Sequence, residues 1–135
     1  MPITYTISGE QRRITAFASG ITRYDDLHGL IQSLLADPGL VPGLRALYDA
    51  RYAEPDITIM QLAEIAGEAR LLNRGLERIA IVAESQTTYR VAKTFTVLAR
   101  AIGIDVDVFR ELAEAEAWLA EDSDISRSGE MLLPR

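Results

Sequence analysis

Cysteine is absent from this 135-residue chain, and that absence removes several chemistries at once. No disulfide framework, thiolate nucleophile or zinc site built on sulfur can form. Lysine is almost absent as well. Lys93 is the only one, so a phosphate-loop lysine or a Schiff-base mechanism would rest on that residue alone. Histidine occurs once, as His28. Long apolar runs are missing too: no stretch approaches the roughly 20 residues that span a bilayer. Met1-Pro2-Ile3-Thr4-Tyr5 lacks the basic-then-apolar pattern of a secretory leader. No membrane span is expected, and the expected compartment is the cytoplasm. Positive charge is scarce: the net charge is −6, and only Arg12-Arg13 stand together. Nucleic-acid partners need clustered cations, so none is expected.

What is present reads as ordinary globular material, with 48% hydrophobic and 25% charged residues. That suffices for one core without a metal or cofactor as staple, and neither is expected. Ile3, Tyr5 and Ile7 alternate with polar neighbours, as do Ile14, Ala16 and Ala18 after the Gly9–Arg12 turn, which predicts an opening hairpin. Gly20 then punctuates, and Thr22 with Asp25 forms a capping-box signal. Leu27, Leu30, Ile31, Leu34 and Leu35 lie on one helical stripe, with Gly29 inside it as a hint of close packing. Asp37-Pro38-Gly39 ends this helix. Leu44 to Tyr48 reads as a third strand, followed by a loop from Asp49 to Ile57.

Thr58 with Gln61 forms a second capping box, and Ile59, Leu62, Ile65, Ala66, Ala69 and Leu72 supply the next stripe up to a cap at Gly75. Ile79-Ala80-Ile81-Val82-Ala83 is unbroken and apolar, the pattern of a strand covered on both faces. A helix from about Thr87 turns Val91, Phe95, Leu98, Ala99 and Ile102 inward and stops at Gly103. Val106 and Val108 mark an edge strand, and Leu112, Ala115, Trp118 and Leu119 mark a last helix. The expected order is β-β-α-β-α-β-α-β-α: an α/β fold whose five-stranded, mostly parallel mixed sheet is covered by about four helices. Residues 1–121 form the expected domain, and 122–135 an expected loosely ordered tail.

Four segments in this order carry a resemblance. They are Gly20-Ile21-Thr22-Arg23-Tyr24-Asp25-Asp26, Leu47-Tyr48-Asp49-Ala50-Arg51, Arg78-Ile79-Ala80-Ile81-Val82, and Val108-Phe109-Arg110-Glu111 with Ala115 and Ala117-Trp118-Leu119. Over roughly residues 3 to 120 the chain resembles the bacterial SpoIIAA-like family, a relative of STAS and Sec14-like lipid-binding domains. The resemblance implies a STAS-like fold and a non-catalytic binding or regulatory module. It also implies a regulatory protein partner or a small lipid-like ligand. In STAS antagonists, a serine opening the helix after the third strand is phosphorylated. Here that stretch reads Asp49-Ala50-Arg51-Tyr52 in place of aspartate, serines and glycine, so Thr58 is left as the candidate phospho-acceptor.

In open parallel sheets, ligands bind beyond the carboxyl ends of the strands. Three loops are expected there: Gly20 to Tyr24, Asp49 to Asp56, and Glu84 to Tyr89. The candidate ligand residues are Asp49, Arg51, Tyr52, Thr58, Ser85, Tyr89 and Arg90. A guanidinium fork beside tyrosines suits an anionic group, and a helix start near Ser85 offers free N–H groups. The structural alternatives are that Asp49 and Arg51 merely pair, and that the hydroxyls merely cap. His28 has no evident orienting partner or nucleophile and reads as a surface residue. Asp25-Asp26 suit a first helical turn better than a metal.

No catalytic group is assigned, and the chain is read as no enzyme. The first functional expectation is a module binding a small amphipathic or anionic ligand. The alternative is a protein–protein adaptor that uses the first or third helix and the 49–58 stretch. Self-association as a homodimer accompanies either.

Overall fold

The structure, a computed structural model, describes residues 2–121. The tail expected over 122–135 lies outside the described residues. The order is β1 (Ile3–Ser8), β2 (Arg13–Thr22), α1 (Tyr24–Ala36), β3 (Leu44–Pro55), α2 (Ile59–Ala69) and a 3-10 turn (Arg70–Arg74). It continues with β4 (Leu76–Val82), α3 (Gln86–Ala101), β5 (Val106–Phe109) and α4 (Leu112–Ala120). The expected α/β class and element order hold. β1 pairs antiparallel with β2, and the other pairings are all parallel.

The sheet runs β1-β2-β3-β4-β5, in chain order. Each right-handed crossover therefore steps the same way, and α1, α2 and α3 all land on one face. The main core lies between them and the sheet, with Ile14, Ala18, Ala46 and Ile81 from the sheet meeting Ile31, Leu34, Ile65 and Ala92 from the helices. α4, which follows the last strand, covers the opposite face over Leu47, Ala80 and Val82. β4 is thus covered on both sides, as its unbroken apolar sequence requires. Because the strand order never reverses, there is no topological switch point, and the usual crevice at the strand ends has no architectural cause here.

β3 departs from the sequence reading. It continues through Asp49 to Pro55, so the expected loop is strand, and β2 likewise runs on to Thr22 beside it. Pairing decides this: Ser19, Gly20, Ile21 and Thr22 face Tyr52, Ala53, Glu54 and Pro55. Low-propensity residues become strand because a neighbouring strand supplies their hydrogen bonds. Between Phe17↔Asp49 and Ser19↔Tyr52, β3 carries one extra residue. Such a bulge shifts the alternation of faces, and it returns Ala53 to the main core alongside Ala50.

Other local expectations shift by less. The N-cap of α1 is Arg23, whose N–H donates to Asp26 Oδ2 at 2.8 Å; Thr22 and Asp25 do not form the box, because Thr22 is held in β2. The Thr58–Gln61 box forms in both directions. Gly29 meets nothing that would exclude a side chain, so the close packing expected there is absent. Close approach is found instead at Gly75, where a Cβ would lie 2.9 Å from Leu40. Ile102 caps α3 and is exposed rather than inward, because Gly103, at φ +91°, turns the chain away.

α4 is held at its C-terminal end by arginines. Arg45 donates to the carbonyls of Leu119 and Glu121, and Arg78 to that of Trp118 at 2.9 Å. The Trp118 carbonyl also accepts from the Glu121 N–H that caps the helix, and cations at this end complement its dipole. The Arg78 guanidinium lies 4.4 Å from the centre of the Trp118 ring.

Candidate functional site

The extended β3 carries the first group of candidate residues. Asp49 is buried and Arg51 half-buried, on the sheet face opposite α1–α3. Asp49 accepts from Arg51 three times: from its N–H at 3.1 Å, Nε at 3.0 Å and Nη2 at 2.8 Å. Burial alone would raise the Asp49 carboxyl. The hydrogen bonds from Arg51 outweigh it and hold the group below the usual carboxylate range. The pair braces the bulge, so the structural alternative describes it well.

Asp49→Ala should cost about 2 kcal/mol, because it strands a half-buried guanidinium. A carboxyl lowered in the folded state adds stability above its unfolded pKa and loses it as pH falls through the folded value. The wild-type advantage over the variant should therefore vanish in urea titrations run well below pH 4. An advantage that persists there unchanged would refute the assignment.

Arg51 and Tyr52 border a cleft of about 480 Å³ with Ala53, Glu54, Pro55, Ser85, Thr87 and Thr88. Of the sequence candidates, the structure thus brings together Arg51, Tyr52 and Ser85. Asp49 and Thr58 do not line it, nor do Tyr89 and Arg90. Thr58 is exposed but committed to its capping box. The Tyr89 ring packs on the core and beneath Arg110, whose guanidinium carbon lies 4.0 Å from its centre. Arg90 points to solvent. Ser85 caps α3, accepting from Thr88 N–H at 3.1 Å and donating to Thr88 Oγ1 at 2.9 Å. The Thr88 hydroxyl passes this on to the Ala53 carbonyl at 3.0 Å.

Beneath α1, α2 and α3 lies the feature that the sequence reading missed. An apolar cavity of about 140 Å³ sits between these helices and the sheet. Its sheet wall is built from Ala16, Ala46, Ala50 and Ala53, its helix wall from side chains such as Leu27, Ile31, Leu62 and Phe95. Alanines on a sheet face leave a gap that helices held apart by their own packing cannot close. The run of small residues on the inner positions of β2 and β3 was the available signal. The cavity shares Ala53, Pro55 and Thr88 with the polar cleft.

His28 also differs from expectation, for it has partners. Its Nδ1 lies 2.6 Å from Glu68 Oε1, and Tyr24 donates to Glu68 Oε2 at 2.7 Å. The Tyr24 hydroxyl is pushed up to about 12 by that hydrogen bond, so it stays protonated and keeps donating. The three side chains clip α1 to α2 over the cavity. They make no nucleophile, since the only hydroxyl present is spent on the carboxylate.

Residues 14–120 match the SpoIIAA-like family. The chain belongs to that family. It is also similar in fold to an uncharacterised protein of the DUF3478 family with a SpoIIAA-like fold from Shewanella loihica PV-4. The two are 18% identical with a TM-score of 0.58, and the match covers 87% of this chain and 94% of that one. No curated protein matches the chain. The SpoIIAA-like assignment agrees with the β1–β2 hairpin, the parallel β2–β5 and the placement of α1–α3 on one face. Among the described residues, no three His, Asp or Glu side chains are placed to share a metal ion. No helix among them is long and apolar enough to cross a membrane.

Proposed function

We propose that this SpoIIAA-like chain is a binding module for a small amphipathic ligand. The apolar part of the ligand occupies the cavity under α1–α3, and its polar part sits in the cleft bordered by Arg51, Tyr52, Ser85 and Thr87. The observation that carries this reading is the apolar cavity and its shared border with the cleft. Cavities of about 150 Å³ lined by aliphatic side chains stay dry and take up benzene-sized molecules. The sequence reading put the whole ligand at the strand ends; the cavity supports a place for its apolar part inside the fold. The Arg51 guanidinium, although paired with Asp49, is half-buried beside the cleft and suits an anionic head group.

The test is native mass spectrometry of gently purified protein, followed by melting scans with short-chain acids, alcohols and single-ring aromatics. A co-purifying small molecule, or a rise in melting temperature with ligand, is expected. A ligand at 100 times its Kd adds about 2.7 kcal/mol. A clean apo mass with no shift across the panel would refute the reading. The adaptor alternative draws on Ile59 and Met60, 68% and 78% exposed at the start of α2 beside Thr58.

A further inference from the structure

One polar group stands out in the wall of the cavity. Tyr48 lies on the inner face of β3, between Ala46 and Ala50, and lines the apolar space. It lies deep in the fold, and burial is the main reason its hydroxyl is raised above the ordinary tyrosine range. It nevertheless keeps some accessible surface, as a side chain facing a void does. Its hydroxyl has no hydrogen-bond partner among the described residues. No buried side-chain polar atom among the described residues lacks a partner, so this hydroxyl keeps accessible surface and its hydrogen-bonding capacity is free for a molecule in that space.

The other hydroxyls around the cavity differ. Thr88 donates to Ala53 O and is satisfied. Thr22, at the end of β2, also makes no side-chain hydrogen bond among the described residues, though its hydroxyl oxygen is not sealed from solvent-sized space. It sits at the strand's carboxyl end, six residues beyond Ala16, the residue opposite Tyr48. Asp26, at the first turn of α1, is the charged group felt by Tyr48. Its Oδ2 is engaged by the Arg23 N–H.

We infer that the Tyr48 hydroxyl is a specificity-determining anchor, and that the cavity selects single-ring or short-chain molecules bearing one hydroxyl or carbonyl group over purely hydrocarbon ones. The inference rests on the cavity-binding reading above and names the ligand class it takes. A phenol-type hydroxyl meets Tyr48 as donor or acceptor, and the rest of the molecule fills the alanine-lined space. A site built to hydrogen-bond a polar group discriminates strongly against an analogue that lacks it, because its own group is then left unpaired.

The experiment compares phenol with toluene, two rings of similar size, by calorimetry or ligand-observed NMR on the full chain. Wild type, Tyr48→Phe and Thr22→Val are measured. Phenol should bind wild type about tenfold more tightly than toluene. Tyr48→Phe should erase the difference by weakening phenol while leaving toluene unchanged or tighter. The same variant should melt close to wild type, since the hydroxyl it removes makes no hydrogen bond to another described residue. Thr22→Val should keep the preference. Toluene bound as tightly as phenol in wild type, or a preference that survives Tyr48→Phe, overturns the anchor while leaving the cavity reading standing. If neither ring binds, the cavity reading itself fails, and the anchor with it.

Discussion

In the Ala46→Ile variant, toluene binding should disappear while folding stability stays level or rises by about 1 kcal/mol. Ala46 is 8% exposed and lines the cavity in the middle of the sheet, paired with Ile14 and Ile79 on its neighbours. Isoleucine adds three carbon groups, each contributing about 0.8 kcal/mol when it leaves water for an apolar site. Ordering the new side chain offsets roughly 0.5–1 kcal/mol, and imperfect fit offsets more. β-branching also suits a strand. Urea denaturation and the toluene titration check the two halves independently. A loss above about 2 kcal/mol would mean that the wall is already close-packed and the void too small to matter. Stable protein that still binds toluene would place the ligand elsewhere.

Trp118→Ala should cost about 3 kcal/mol and free α4 while the α1–α3 layer stays protected. α4 has nine residues, far too few to persist as a helix without tertiary contacts. Its docking rests on Ala115 and Leu119, both nearly inaccessible, and on Trp118. The indole lies 5.5 Å from the Phe109 ring and beneath Arg78. Removing it opens a cavity and ends the cation–π contact, and full Trp-to-Ala truncations in cores cost about 3–5 kcal/mol. The partial exposure of Trp118 sets the lower figure. Hydrogen exchange should show α4 amides losing protection before those of α1–α3. A cost under 1 kcal/mol, or protection lost evenly throughout, would show that the arginine contacts hold α4 on their own.

Much of the fold was legible because local signals and tertiary packing agree along most of the chain. The Thr58–Gln61 box, the alternation of β1 and early β2, and the apolar run of β4 each name an element that the structure contains. The second half of β3 was illegible because Asp49, Arg51, Glu54 and Pro55 do not favour strands. Glu54 and Pro55 are strand because the extended β2 lies alongside, Asp49 because it sits between β2 and β4, and Arg51 because the bulge carries it between paired residues. Candidate residues were legible by type but not by role. Arg51 and Ser85 do share a cleft, whereas Thr58 and Tyr89 are committed to capping and packing. Glu68, forty residues from His28, could not be recognised as its partner, since only the packing of α1 on α2 brings them together.

By itself, the sequence determined that this SpoIIAA-like chain is an α/β domain with the element order described, and that thiol chemistry is closed to it. Periodicity and composition act over a few residues, and those short-range terms suffice for such conclusions. Tertiary structure alone decided that an apolar cavity lies under α1–α3. A volume between a sheet and three helices depends on how far apart packed layers stand, and no local pattern encodes that distance. Alanines at Ala16, Ala46, Ala50 and Ala53 become a cavity wall, with Tyr48 beside them, only once α1, α2 and α3 are held above them.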